Sequence, residues 1–218
     1  MDDLRLRSGV AARPTRRAFL QRSAVAPVLG ALAGAIWQVT GGRLGALAQP
    51  VALQPTPPCP DADDVTPPQT AGPFYKPSSP RRSSLLEPGV TGTRLVLSGR
   101  VVTTACRPVA GALLDFWQAD DSGRYDNAGF RLRGHQIADE AGRYRLETIV
   151  PGAYAGRTRH IHVRVAAPDG PVLTTQLYFP DEPRNQTDFL FDRRLVMRVR
   201  DASGGKVATF DFVLDARR

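Results

Sequence analysis

Apolar and polar residues alternate over short stretches from residue 94 to the end of the chain. The clearest cases are residues 160–165 (HIHVRV) and 209–214 (TFDFVL). A period of two is typical of strands that bury one face, because successive side chains point to opposite sides. On this pattern and on runs of β-type residues, seven strands are predicted: 95–102, 112–117, 143–149, 161–166, 173–179, 195–200 and 208–214.

Glycine and proline separate these stretches. Turn signals occur at residues 121–123, 140–142, 151–152, 168–170 and 203–205, and the chain holds 20 Gly and 19 Pro. This composition disfavours long helices. Seven or more short strands with regular turns predict an all-β fold, an antiparallel β-sandwich with short helices and long loops. The one helix that we place covers residues 188–194.

The first 48 residues differ from the rest of the chain. They hold seven Arg and two Asp, with the pair Arg16-Arg17 before an apolar run over 24–37 and Ala46-Leu47-Ala48 at the end. This arrangement is typical of a signal peptide of the twin-arginine type; a buried or membrane-anchoring N-terminal helix is the alternative. We therefore expect an exported, periplasmic or extracellular protein, with a leader over 1–48, a Pro-rich lead-in over 49–70 and one domain over 71–218. No stable membrane span is expected after leader cleavage.

Charge and cysteine content narrow the function classes. The net charge is +8, but residues 49–218 hold 22 basic and 19 acidic residues, a net of +3, with no basic cluster interleaved with aromatics. Nucleic acid is therefore not an expected partner. Cys59 and Cys106 are the two cysteines, too few for a four-thiolate metal site. In an exported protein we expect them to form a disulfide.

His160 and His162 carry the first chemical signal. Residues i and i+2 of a strand share a face, so the two imidazoles can bind one metal ion, although a solvated polar row fits the spacing equally well. No Cys, Asp or Glu lies within five residues of the pair, whereas Tyr125 and Tyr154 each follow a turn. Phenolate with imidazole suits ferric iron better than zinc. By composition alone, three other tyrosines are rival ligands: Tyr75, Tyr144 and Tyr178.

Several ordered motifs make the sequence similar to a known family. Residues 70–75 (TAGPFY), 116–120 (FWQAD), 123–125 (GRY), 148–162 (TIVPGAYAGRTRHIH) and 175–179 (TQLYF) resemble the intradiol ring-cleavage dioxygenases, non-haem ferric enzymes of the catechol and protocatechuate dioxygenase type. The resemblance covers about residues 66–214. It implies a β-sandwich, in agreement with the predicted strands.

The resemblance also implies roles for particular residues. It makes Tyr125, Tyr154, His160 and His162 the ligands of Fe(III), with Tyr154 also acting as a base. It places Arg157 beside the substrate, where its charge would stabilise negative charge, and it adds three pocket residues: Gly72, Pro73 and Gln176. The implied reaction opens a catechol-type diol between its two hydroxyl-bearing carbons with O2 and gives a muconate-type diacid.

The chain also departs from the longer family members. Only five residues separate Tyr154 from His160, and a leader and tether stand where the catechol enzymes have a helical domain. The chain looks more like the exported, single-domain branch of the family. The resemblance therefore does not predict which diol is the substrate or how the protein would dimerise, and a homo-oligomer is one open alternative. The alternative function is an exported transthyretin-like β-sandwich binding module without catalysis; a zinc hydrolase is disfavoured because no acidic base lies near the histidines.

Overall fold

The computed structural model describes residues 65–170 and 172–215. The leader over 1–48, most of the lead-in and Cys59 lie outside the described residues, so the predictions made for them stay predictions. Within the described residues, no helix has the length and apolar character needed to cross a membrane.

The described residues form nine strands in two sheets. The strands are β1 (Arg94–Thr103), β2 (Leu113–Trp117), β3 (Arg133–Ile137), β4 (Arg143–Ile149), β5 (His160–Ala166), β6 (Val172–Tyr178), β7 (Arg198–Ala202), β8 (Gly205–Thr209) and β9 (Phe212–Leu214). The first sheet has the order β4-β1-β8-β7, with β9 also paired to β1, and the second has the order β3-β2-β5-β6. All pairings between these strands are antiparallel except those of β1 with β8 and with β9.

The apolar halves of the alternating strands meet in one core. Leu97 of β1 and Leu146 of β4 are fully buried in the same cluster as Phe116 of β2 and Val163 of β5. Because both sheets contribute to this cluster, they pack face to face. The all-β class predicted from the sequence is confirmed.

Two predicted elements are wrong in detail. Instead of a helix over 188–194, the chain forms two 3-10 turns, Pro183–Gln186 and Arg193–Leu195. The carboxylate of Asp188 accepts the N–H groups of Thr158 and Leu190. These bonds hold the loop between the two 3-10 turns in a non-helical conformation. The stretch 195–200 also begins too early, because Leu195 belongs to the second turn.

The stretch 208–214 is two strands and not one. β8 and β9 both run parallel to β1, but the ladder breaks at Phe210 and Asp211. There the Asp211 carboxylate accepts the N–H of Arg100 at 2.7 Å, in place of a strand partner. A Cβ on Gly99 would lie 1.8 Å from the carbonyl oxygen of Phe210, so only glycine fits at this crossing.

The second sheet positions the candidate site. Its register sets Trp117 beside His162, and His162 beside Gln176. The preceding segment first runs along the edge strand β6, where Gln69 N–H bonds to the Thr174 carbonyl. It then reaches the histidine face, where a Cβ on Gly72 would lie 3.5 Å from His162 Cε1. The outer face of the second sheet is therefore covered near the histidines.

Candidate metal centre

The two histidines predicted as ligands lie side by side on β5. Their Nε2 atoms are 3.2 Å apart, and the residues are only 3% and 2% exposed. The Nδ1 atom of His160 lies 2.7 Å from the Thr158 carbonyl oxygen, to which it donates its proton. That bond leaves the lone pair of the His160 imidazole on Nε2, facing His162.

Both imidazoles are neutral at physiological pH. Burial lowers the pKa of His160 to about 4. Burial, together with the neighbouring His160, holds the pKa of His162 well below its usual range. Two neutral nitrogen donors in a buried position suit metal coordination, because a protonated imidazole has no free lone pair.

Tyr125 and Tyr154 complete the cluster. Their ring centroids are 5.4 Å apart; Tyr125 lies 6.3 Å from His162, and Tyr154 lies 6.0 Å from His160. The Tyr125 hydroxyl is buried and has no hydrogen-bond partner. Burial raises its pKa above the usual value, with a further contribution from Tyr154. Leaving a buried hydroxyl unpaired costs about 1–3 kcal/mol, a cost that a bound cation would remove.

The donor set fits ferric iron. Two phenol rings lie 6.0 and 6.3 Å, centroid to centroid, from two neutral imidazoles. Only a strongly charged metal would ionise a phenol whose pKa is raised by burial. Within the part of the chain that the structure describes, no group of three or more His, Cys, Asp or Glu side chains could hold a metal ion. The tyrosine-histidine cluster is therefore the candidate metal centre.

Two loops bring the tyrosines together through a glycine contact. A Cβ on Gly123 would lie 2.4 Å from the Ala153 carbonyl oxygen, and a Cβ on Gly152 would lie 2.4 Å from the Gly123 nitrogen. The turn before Tyr125 is fixed by Asp120, whose carboxylate accepts two backbone N–H groups. The backbones of the two loops thus touch directly.

Aromatic side chains also pack against the tyrosine-histidine cluster. Phe74 stacks on Tyr125 at 4.3 Å and meets Tyr154 edge-on at 5.7 Å. A Cβ on Gly72 would lie 3.5 Å from His162 Cε1, so this predicted pocket residue adjoins the cluster, with the exposed Pro73 next to it. Trp117 is buried and stacks on His162 at 4.8 Å.

His135, the third histidine of the chain, lies outside the cluster. It is half-buried, and its Nδ1 lies 3.2 Å from the Ser79 hydroxyl. The hydroxyls of two rival tyrosines are engaged elsewhere: Tyr144 donates to the Phe210 carbonyl, and Tyr75 accepts from Arg164 Nη1 at 3.1 Å. The third, Tyr178, lies 6.2 Å from His160 but donates to the carbonyl of Leu190.

Arg157 lies beside this cluster and is not an ordinary surface residue. Its side chain is 11% exposed, against 40% for Arg159, which pairs with Glu182 instead. Its Nη2 donates to Gln176 Oε1 at 2.6 Å, so the structure brings these two predicted pocket residues together. Its Nε donates to Asp188, a residue that the sequence analysis missed because nothing in the spacing links it to the site.

Comparisons with known proteins agree with this arrangement. A family model described as Dioxygenase matches residues 71–216. The chain is 32% identical over 148 residues to a catechol 1,2-dioxygenase of Candida albicans, covering 55% of this chain and 49% of the relative. It is 36% identical over 118 residues to a protocatechuate 3,4-dioxygenase beta chain of Burkholderia cepacia, covering 46% and 50%. The chain thus spans about half the length of these curated relatives.

Among solved structures, one similar chain is matched over nearly its whole length. It is the dioxygenase domain of a dioxygenase and carbohydrate-binding protein fusion from Streptomyces sp. SirexAA-E, 58% identical with a TM-score of 0.68. The match covers 70% of this chain and 99% of that one. A catechol 1,2-dioxygenase from Pseudomonas arvilla is 27% identical with a TM-score of 0.63, covering 68% and 62%.

Proposed function

The chain belongs to the intradiol ring-cleavage dioxygenase family, and on that premise we propose that it is a non-haem Fe(III) enzyme acting on a catechol-type diol. It would use O2 to open the ring between the two hydroxyl-bearing carbons, placing both oxygen atoms in a muconate-type diacid. The observation that carries this proposal is the buried pair of histidines, with Nε2 atoms 3.2 Å apart, next to two tyrosines. A binding module would have no use for this donor set.

Four residues would hold the iron: Tyr125, Tyr154, His160 and His162. When bound there, ferric iron supplies Lewis acidity and a template for both oxygens of the diol. The Thr158 carbonyl fixes the tautomer of His160, so that Nε2 is the coordinating atom.

We assign the two tyrosines different tasks. Tyr125 stacks on Phe74, and its hydroxyl is buried. This fixed position suits a ligand that would stay bound to the iron when substrate enters. Tyr154 is half-buried and followed by two exposed residues, Ala155 and Gly156, both at positive φ. Because this turn is exposed, Tyr154 would be the tyrosine that exchanges, and its phenolate oxygen would accept a proton from the incoming diol.

Arg157 would stabilise negative charge that develops on the activated ring. Its Nε and Nη2 are engaged by Asp188 and Gln176, whereas Nη1 donates to none of the described residues. The guanidinium therefore keeps a donor for substrate in a fixed position. Preorganised donors of this kind contribute roughly 3–4 kcal/mol to transition-state stabilisation.

The test is product identity with O2 stoichiometry. Iron-loaded protein is mixed with catechol, protocatechuate or hydroxyquinol; O2 uptake is followed, and the product is identified by NMR. We expect one O2 consumed per diol and two new carboxyl groups, both labelled once by 18O2. An aldehyde-containing product, or no O2 uptake with any of the three diols, would refute the proposal.

A further inference from the structure

Asp188 lies 31 residues after Arg157, in the loop between the two 3-10 turns. Its side chain is fully buried, and both of its carboxylate oxygens lie 2.9 Å from Arg157 Nε. A buried ion pair at this distance is costly to break, because the remaining charge loses its partner without gaining water.

The carboxylate is itself held rigidly. It accepts the backbone N–H of Thr158 at 2.9 Å and that of Leu190 at 3.0 Å. Burial opposes ionisation, but these bonds and Arg157 outweigh it and hold the pKa of Asp188 below its ordinary value. Asp188 is therefore a fixed negative charge at neutral pH.

The guanidinium is oriented from two sides. Asp188 accepts a hydrogen bond from Nε, and Gln176 Oε1 accepts one from Nη2. Gln176 Nε2 in turn donates to the Thr70 carbonyl at 3.0 Å. Two such anchors define the plane of the guanidinium, not only the position of its charge. The backbone N–H of Arg157 also bonds to the Tyr154 carbonyl, which ties the anchored side chain to a candidate ligand.

From this geometry we infer that Asp188 is a positioning residue, which holds the guanidinium of Arg157 in the orientation that the reaction requires without touching the substrate itself. The inference rests on the proposed dioxygenase function. The competing explanation is that Asp188 only fastens its loop to the start of β5.

Asn185 provides a matched control for that competing explanation. Its Oδ1 accepts the Thr158 hydroxyl at 2.7 Å, and its Nδ2 donates to the Phe179 carbonyl at 2.9 Å. Asn185 thus fastens the neighbouring chain to the same Thr158, but among the described residues it makes no hydrogen bond to Arg157. Asn185→Ala should therefore loosen this region and leave the Arg157 anchor in place.

The experiment is a pair of double-mutant cycles: Asp188→Asn with Arg157→Leu, and Asn185→Ala with Arg157→Leu. Asp188→Asn should lower kcat roughly 10- to 100-fold, with KM changed less than about threefold. The double variant should match Arg157→Leu within a factor of about two, because no guanidinium is left to position. The effects of Asn185→Ala and Arg157→Leu should multiply.

A second readout does not depend on turnover. In metal-free protein labelled with 15N-arginine, the Nε–H of Arg157 should exchange slowly with solvent. Asp188→Asn should lose this protection, and Asn185→Ala should keep it. If Asp188→Asn fails to fold, Asp188→Glu, which keeps the charge but moves it by one methylene, takes its place with the same expected loss of kcat.

The outcomes separate the two claims. Wild-type turnover with kcat of Asp188→Asn reduced less than about twofold would overturn the positioning role and leave the dioxygenase function standing. Effects of Asp188→Asn and Arg157→Leu that multiply would overturn it as well. Absence of diol cleavage by wild-type protein would instead refute the proposed function, and the exchange data alone would then decide whether Asp188 holds Arg157.

Discussion

His160 and Tyr154 contribute different chemistry to one cluster. The imidazole of His160 is buried and fixed by the Thr158 carbonyl. Tyr154 is half-buried on a turn. Removing the His160 imidazole should weaken metal binding at the proposed site, and removing the Tyr154 hydroxyl should weaken substrate binding there.

We expect His160→Ala to lose iron, because one of the four proposed ligands is removed. Tyr154→Phe should retain part of the iron but bind catechol poorly, because the proposed base for the substrate proton is removed. Iron content and anaerobic catechol titration followed by visible absorption measure the two effects.

Tyr144→Phe is the control for that pair of variants. It removes a buried phenol that donates to the Phe210 carbonyl in the core. Unfolding stability should fall by about 1 kcal/mol, with iron content unchanged. Full iron and full activity in His160→Ala would contradict the ligand assignment.

The residues of the site were predictable to different degrees. Alternation along β5 alone sets His160 and His162 on one face. The tyrosines lie on loops without periodicity, so only the family resemblance selected Tyr125 and Tyr154. The role of Asp188 could not be predicted from the sequence. Its contact with Arg157 depends on how the loop between the two 3-10 turns folds back to the start of β5.

At the level of elements, the contact between the two tyrosine-bearing loops is the feature most sensitive to change. Gly123 has φ +84°, and a Cβ there would lie 2.4 Å from the Ala153 carbonyl oxygen and 3.3 Å from Tyr154 Cβ. Any side chain at this position must push the loops apart. The spacing between Tyr125 and Tyr154 depends on the absence of that side chain.

Gly123→Ala should therefore weaken iron binding as well as folding. Gly204→Ala, in the β7–β8 hairpin, is its control: φ is +80°, but nothing lies within 4 Å of the added Cβ. Each variant should lose about 1–2 kcal/mol from backbone strain, and only Gly123→Ala should lose iron to a competing chelator. Equal iron retention in both would show that the loop contact does not set the site.

Among the alternating stretches, β4 and β5 were predicted nearly to the residue, whereas 208–214 proved to be two strands. β3 was missed because its sequence, RGHQI, has one apolar residue and a glycine at its second position. It forms because its backbone pairs with β2 along the whole strand. The helix expected over 188–194 does not form, because the Asp188 side chain bonds to backbone N–H groups and competes with helix formation.

On the scale of the whole molecule, the expected disulfide connects the sandwich to the segment before it. Cys106 lies in a tight turn after β1, where its N–H bonds to the Thr103 carbonyl. Its predicted partner, Cys59, lies outside the described residues. Export to an oxidising compartment is the condition for this bond.

We expect mass spectrometry of unreduced peptides from the exported protein to show Cys59 joined to Cys106. The bond would close a loop of 48 residues and stabilise the protein by about 4 kcal/mol. Cys59→Ser should lower the unfolding temperature in non-reducing buffer and have no effect once wild-type protein is reduced. Two free thiols in native exported protein would contradict the pairing.

The visible spectrum of the iron-loaded protein tests the candidate metal centre most directly. Tyrosinate bound to ferric iron gives a ligand-to-metal charge-transfer band, so the protein should be burgundy and contain one iron per chain. Anaerobic catechol should change that band, and Tyr144→Phe should leave it intact. A colourless protein that still cleaves the diol, or bound iron without a tyrosinate band, would contradict the assignment of Tyr125 and Tyr154 as ligands.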